Sequence, residues 1–246
     1  MTKPVTLTSH LRDEHHISPF QTYLKEIVYG GNDGIVTTFA VVAGFTGAQA
    51  GANVPTFSIL TVLLFGLANL FADGASMGLG NFLSLRAEKD VYRTHEAKEL
   101  YEVTHHPLEE KAETIAILVG EGFDEKQARQ LAKIYETNPN YWTSFMMNYE
   151  LRIPNPASEN PYLTAFATFS AFVVFGIIPL IPYFINQDPT KSFAFSAFAT
   201  LTALVLLGLL RWKVTTETIL RSVLEIVAVG GTSALIAFAV GTFFRL

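Results

Sequence analysis

The sequence predicts an all-α, polytopic membrane protein: five transmembrane helices, with a helical insert between the second and the third. Three observations lead there. Half of the 246 residues are apolar, and 20 of them are phenylalanine. Only 16% are charged, where a water-soluble domain carries about a quarter. The charge is also segregated. The 67 residues from Arg86 to Arg152 hold 13 of the 22 acidic residues against 9 basic ones, which is −4 of the total −5. The remainder is nearly charge-free and needs a solvent other than water.

A bilayer core of ~30 Å takes ~20 apolar residues in a helix. Five segments supply them: about Ile27–Ala50, Phe57–Leu85, Pro161–Ile185, Ser192–Trp212 and Thr218–Phe244. All are too long for buried strands, and a helix satisfies its own backbone in lipid. The expected order is a polar N-terminus (1–24), two spans (25–85), the insert (86–158) and three spans (159–246). The N-terminus contains Asp13, Glu14, His15 and His16 and has no apolar run of the kind a cleavable signal needs.

Orientation follows from lysine and arginine near the span ends. Lys25, then Arg86, Lys89 and Arg93, then Arg211, Lys213 and Arg221 all fall on one side. Thr46–Thr56 has no positive charge, Asn186–Lys191 has only Lys191, and Arg245 is the one dissent. The N-terminus and insert are therefore expected in the cytoplasm and the C-terminus outside. The lack of targeting features favours a prokaryotic cell (inner) membrane; in a eukaryote the membrane would be vacuolar.

Within the insert, helices are expected at about Leu85–His105, Pro107–Val119, Asp124–Thr137 and Tyr141–Glu150. Pro107 suits a first helical turn. Asp124-x-x-Gln127 has the form of a capping box after Gly120 and Gly122. Asn138-Pro139-Asn140 reads as a turn.

Glu99/Glu102 and Glu110/Glu113 are i, i+3 pairs, so each pair shares a helix face. A break near Pro107 would fold the two pairs toward each other, and a divalent cation would relieve their repulsion. Met146, Met147 and Glu150 close the insert, with Met146 and Glu150 one turn apart. Thioether beside carboxylate points to Fe(II), Mn(II), Co(II) or Zn(II) rather than Mg(II) or Ca(II). The same spacing also fits a solvated acidic face with a methionine pair filling a core. The absence of cysteine excludes disulfides, thiolate zinc sites and thiol redox chemistry.

A second constellation lies in the spans. Asn69, Asp73, Met77 and Asn81 recur every four residues on the second span, and Asn32-Asp33 sits among glycines on the first. Ionisable groups in a span line ion pathways or pair within the bundle; interhelical hydrogen bonding is the structural alternative. Gly30-xxx-Gly34 and Gly74-xxx-Gly78 permit close helix contact. Pro179 and Pro182 imply a kinked or broken third span. His15-His16 and His105-His106 are weaker ligand candidates. Glu102-x-x-His105 is half of a di-iron motif whose second copy is missing.

Two stretches carry a family resemblance. Tyr29-Gly30-Gly31-Asn32-Asp33-Gly34 followed by Phe39-Ala40-Val41-Val42-Ala43-Gly44, and Ala75-Ser76-Met77-Gly78-Leu79-Gly80-Asn81-Phe82-Leu83 with Glu88 beyond, resemble the vacuolar iron transporter (VIT) family. The resemblance runs from about Tyr23 through nearly the whole chain. It implies a homodimer of five-span subunits exporting Fe(II) from the cytosol in exchange for protons. It implies metal ligands at Glu99, Glu102, Glu110, Glu113, Met146, Met147 and Glu150, and a membrane pathway through Asp33 and Met77. Many members carry a glutamate eight residues before that methionine, where this chain has Asn69. Asp73, one turn from Met77, is expected to take over part of its work. Glu26 is the one other carboxylate near the first-span entrance.

The expected function is metal/proton antiport of Fe(II), extending to Mn(II), with no catalytic residues, prosthetic group or nucleic-acid partner. The rival is a membrane-anchored iron buffer or ferroxidase that binds metal without moving it.

Overall fold

The computed structural model describes residues 19–49, 58–186, 188–215 and 217–243. Its described residues are helical throughout, joined by short connections. A single turn at Pro19–Thr22 leads into α1 (Leu24–Ala48). Then come α2 (Ile59–His105), α3 (Pro107–Gly120), α4 (Glu125–Tyr135), α5 (Pro139–Tyr149), α6 (Pro161–Gly176), α7 (Ile181–Ile185), α8 (Pro189–Val214) and α9 (Ile219–Phe243). The chain divides into two compact units: one from the residues up to Asn81 and from Tyr162 onward, the other from Phe82–Pro161. His15, His16 and Arg245 lie outside the described residues.

Among the described residues, four helical segments are long and apolar enough to cross a membrane: Ile59–His105, Pro161–Ile185, Pro189–Val214 and Ile219–Phe243. The expected first span does form a helix of 25 residues, but it falls short on composition. Asn32, Asp33, five glycines beside them and along the helix, and its threonines dilute the apolar content. The reason is visible in the packing. α1 buries Gly30, Gly31, Gly34, Ile35, Thr38, Phe39, Val42 and Ala43 against its neighbours, so it meets protein where the other helices present bare apolar surface. Leu60, Leu64, Phe71, Phe166, Phe198, Leu220 and Leu235 are each about half or more exposed, a surface that only lipid solvates well.

The core of the larger unit has two centres. Ile35 of α1 meets Ala203, Leu204 and Leu207 of α8 and Ile226 of α9. Val42 of α1 meets Val62 of α2, Leu180 and Tyr183. Glycine sets how closely α1 approaches α6. A side chain at Gly30 would fall 2.7 Å from the Thr168 carbonyl oxygen, and one at Gly34 would strike the Phe172 carbonyl. The expected break in the third span is present: α6 ends at Gly176, a 3-10 turn spans Ile178–Leu180, and α7 follows. Ser196 Oγ donates to the Pro179 carbonyl oxygen at 2.6 Å, satisfying one acceptor at the broken segment.

Two expectations within the insert need correcting. The second span and the first insert helix are one uninterrupted α-helix of 47 residues; no proline lies between Phe82 and His105 to stop it. Asn138-Pro139-Asn140 starts a helix instead of making a free turn. Asn138 is the N-cap, accepting from the Tyr141 N–H at 3.2 Å, and Pro139 takes the first helical position, where its missing N–H is harmless. The Asp124/Gln127 capping box forms in both directions.

The α1–α6 approach makes a sharp prediction. Gly34→Ala should lower the thermal unfolding midpoint in detergent by the equivalent of ~1–3 kcal/mol, the usual range for overpacking. Gly44→Ala, where an added Cβ meets nothing within 4 Å, should leave it unchanged or raise it.

Candidate metal centre

The smaller unit is built so that three helix ends meet. α2 closes on its last turns with Glu99 and Glu102, and one non-helical residue, His106, separates it from α3. Pro107 starts α3, which brings Glu110 and Glu113 back beside α2. α5 ends at Tyr149, with Glu150 as its C-cap. Leu151 N–H donates to the Met146 carbonyl at 3.2 Å and Ile153 N–H to the Met147 carbonyl at 2.9 Å. Arg152 takes a left-handed φ of 55°, which turns the chain off the helix and leaves Glu150 at its tip.

One carboxylate oxygen each from Glu99, Glu110 and Glu150 lies within 4.8 Å of the others. Glu99 is 3% exposed and Glu110 6%, while Glu150 reaches solvent. Glu99 Oε1 and Glu110 Oε2 are buried without a hydrogen-bond partner. Two ionised carboxylates at such a separation repel by roughly 3–4 kcal/mol at an effective dielectric near 20, more than a neutral hydrogen bond returns. Protons or a cation must hold the cluster together. Without metal it holds protons. Burial, then the Glu110 and Glu150 carboxylates, push Glu99 up to about 8. Burial, then Glu113, push Glu110 up to about 7. Glu150 is raised as well, first by burial and then by Glu113 and Glu102.

The donor set fits a divalent transition metal. Oxygens bound to one such ion at ~2.1 Å lie at most about 4.2 Å apart, so the cluster needs to tighten by less than about 1 Å. Glu102 and Glu113 are within electrostatic reach, and Glu102 pairs with Lys98 at 3.5 Å. Met146 is fully buried in a core of Val103, Leu118, Ala128, Trp142 and Phe145, and its sulfur accepts from Thr114 Oγ1 at 3.3 Å. Met147 is also fully buried. No motif singles out Thr114 or Trp142, yet Trp142 Nε1 donates to Thr114 Oγ1 at 2.7 Å. Their spacing of four from Glu110 and Met146 is the one sequence signal that marks them.

His105 and His106 stand apart from this cluster. His105 Nδ1 lies 2.9 Å from the Tyr101 carbonyl oxygen and its ring stacks on Tyr101 at 4.1 Å. His106 Nδ1 faces Glu109 at 3.8 Å. The half di-iron motif therefore contributes its glutamate to the edge of the cluster and no histidine to its centre.

In the larger unit, Asp33 of α1 is half-buried and Asp73 of α2 is exposed. The two are close enough to interact electrostatically. Neither forms an ion pair among the described residues. Met77 and Asn69 are half-buried on the same helix as Asp73. Asn81 departs from this stripe: its Nδ2 donates to Thr168 Oγ1 of α6 at 2.8 Å, so it serves helix packing. Glu26 is buried near the start of α1, and the Asn32 amide oxygen is buried without a partner.

These features define a polytopic helical membrane protein that carries a helical lobe with converging carboxylates. Comparison with known proteins sharpens this. A model of the VIT family matches residues 24–242. The chain is 34% identical to the vacuolar iron transporter of Plasmodium falciparum (isolate 3D7), over 90% of this chain and 82% of that protein. It is 30% identical to vacuolar iron transporter 1 of Arabidopsis thaliana, over 95% and 90% respectively. For the vacuolar iron transporter of Plasmodium berghei (strain Anka) the identity is 32%, over 96% and 88%. The chain belongs to the VIT family, whose members are transporters, and it is not an enzyme.

The raised carboxyls fix the sign of a pH effect. A group whose folded pKa lies above its unfolded value (~4.3 for glutamate) stabilises the fold below that value, and the contribution disappears as pH rises through the folded one. Metal-free protein should therefore lose thermal stability between about pH 5 and pH 8. Glu99→Gln should flatten the loss, and Mn(II) should reverse it above pH 7. Differential scanning fluorimetry in detergent, with chelator and with Mn(II), reads all three.

Proposed function

We propose that this chain is a proton-coupled metal transporter that moves Fe(II), and Mn(II) as a second cargo, out of the cytosol by metal/H+ exchange. One observation carries the reading: the oxygens of Glu99, Glu110 and Glu150 converge within 4.8 Å, in a chain that matches a transporter family over residues 24–242. The carboxylates collect the ion from the cytosol, with Glu102, Glu113, Met146 and Met147 completing the ligand set. Asp33 and Met77 then coordinate it in the membrane, with Asp73 and Asn69 beside them. Protons arriving from the far side compete for the same carboxylates and release the metal, since a ligand must be deprotonated to bind.

In the topology that such transport requires, α1 is a fifth span. At 25 residues it is about 37 Å long, enough for a bilayer core of ~30 Å. Its glycines and polar residues lie against protein, which removes the need for a wholly apolar surface. The basic residues at Lys25, Arg86, Lys89, Arg93, Arg211, Lys213 and Arg221 support a cytoplasmic N-terminus and a cytoplasmic lobe. Two subunits would place the metal path between their first spans. The names of the relatives favour a vacuolar membrane; the prokaryotic cell membrane expected from the N-terminus has no support among them.

Liposomes containing the purified protein test this directly. Fe(II) flux that depends on an imposed proton gradient is the expected result, reduced at least tenfold by Asp33→Ala. Metal bound without flux would replace transport with the buffer reading, and oxygen consumption with Fe(II) would favour the ferroxidase.

Asp73→Ala tests the substitution for the missing carboxylate at Asn69. It should cut flux severely, though less than Asp33→Ala does. Intact flux in Asp73→Ala would remove Asp73 from the pathway.

A further inference from the structure

α3 and α5 meet in an antiparallel register that steps by four on both helices. Glu110 of α3 faces Glu150 at the end of α5, within the carboxylate cluster. One turn on, Thr114 Oγ1 donates to Met146 Sδ at 3.3 Å. A further turn on, Leu118 and Trp142 share the core. Met146 and Thr114 thus each stand one helical turn from a glutamate of the cluster, Glu150 and Glu110 respectively.

Thr114 is completely buried, and its hydroxyl has a single proton to give. Trp142 Nε1, a donor only, occupies one face of that hydroxyl oxygen at 2.7 Å. The Thr114 proton is thereby directed to the sulfur. Sulfur has two lone pairs; one accepts from Thr114 and the other remains for a metal. A flexible methionine otherwise samples several rotamers and fills whatever gap is offered. This hydrogen-bonded chain holds one of them.

We propose that Thr114, itself held by Trp142, is a positioning and specificity-determining residue: it locks the Met146 thioether as the soft donor one helical turn from the cluster and so biases the centre toward thiophilic ions. The inference rests on the proposed role of the cluster as a metal centre. Hard ions draw on the carboxylates alone, whereas Fe(II) and Co(II) also gain from sulfur. Partners that orient a ligand from outside the coordination sphere are worth about 10–100-fold in metal affinity.

The test uses the full-length protein in detergent, with Co(II) as an optical probe in place of Fe(II) and Mn(II) as the oxygen-preferring control. Thr114→Val keeps the shape and removes the proton; Thr114→Ser keeps the proton. In the wild type, Co(II) should give a sulfur-to-metal charge-transfer band. Thr114→Val should lose or shift that band and weaken Co(II) binding roughly tenfold, with Mn(II) affinity changed by less than about threefold. Thr114→Ser should behave as the wild type, and Trp142→Phe should weaken the band with the Thr114 side chain intact. Equal losses for Co(II) and Mn(II), an unchanged band in Thr114→Val, or the same loss in Thr114→Ser would each overturn the proposal. If Thr114→Val fails to fold, Thr114→Ala removes the same proton from a smaller side chain, and a full band in Thr114→Ala overturns the proposal. Wild-type protein that binds neither ion would instead refute the metal centre itself.

Discussion

Repulsion among buried carboxylates governs the helical lobe. Glu99 Oε1 and Glu110 Oε2 are out of solvent with no other group bonded to them, a proton on one carboxyl bonds to the other, and no basic side chain is paired with them among the described residues. Such an arrangement is unfavourable unless protons or a cation neutralise it. The structure around it resists relaxation. Val103, Leu118, Ala128, Trp142, Phe145 and Met146 form a packed core on one side, and the single-residue connection at His106 leaves α2 and α3 little freedom to separate. The lobe therefore keeps its carboxylates together at a cost that a bound divalent ion would remove.

The membrane-embedded unit follows a different rule. Its helices satisfy their own backbones, so the variable is how closely they approach. Glycine at positions 30 and 34 lets α1 come down onto the carbonyls of α6, and the same helix carries Asn32 and Asp33. Close packing and polar content on one helix are connected. A helix enclosed by neighbours can carry a carboxylate that a lipid-facing one could not. This is also why α1 falls below the composition of a membrane span while the four others pass.

Much of this was legible in the residues. Segregation of charge and long apolar runs marked the helical membrane class, and the i, i+3 spacing of the glutamates placed Glu99 and Glu110 on faces that meet. The Asp124/Gln127 box was readable because a cap is local chemistry. Local reasoning failed where two local signals competed. Asn138-Pro139 has the composition of a turn and of a helix start; α5 uses it as the latter because the helix that follows can bury Trp142, Phe145, Met146 and Met147. The 47-residue α2 has the composition of two helices, apolar up to Leu85 and charged from Arg86, although nothing in the backbone chemistry ends a helix there.

The sequence by itself determined the helical class, the concentration of acidic residues between Arg86 and Arg152, and the break within Pro161–Ile185, because each follows from composition or from spacing along one helix. Only the tertiary structure decided which of those residues meet. Glu99, Glu110 and Glu150 come together from three helices, Asn81 is diverted to Thr168, His105 and His106 stay outside, and Thr114 takes hold of the Met146 sulfur. Those outcomes depend on the register between helices. Register is set by how whole faces pack, which no single stretch of sequence encodes.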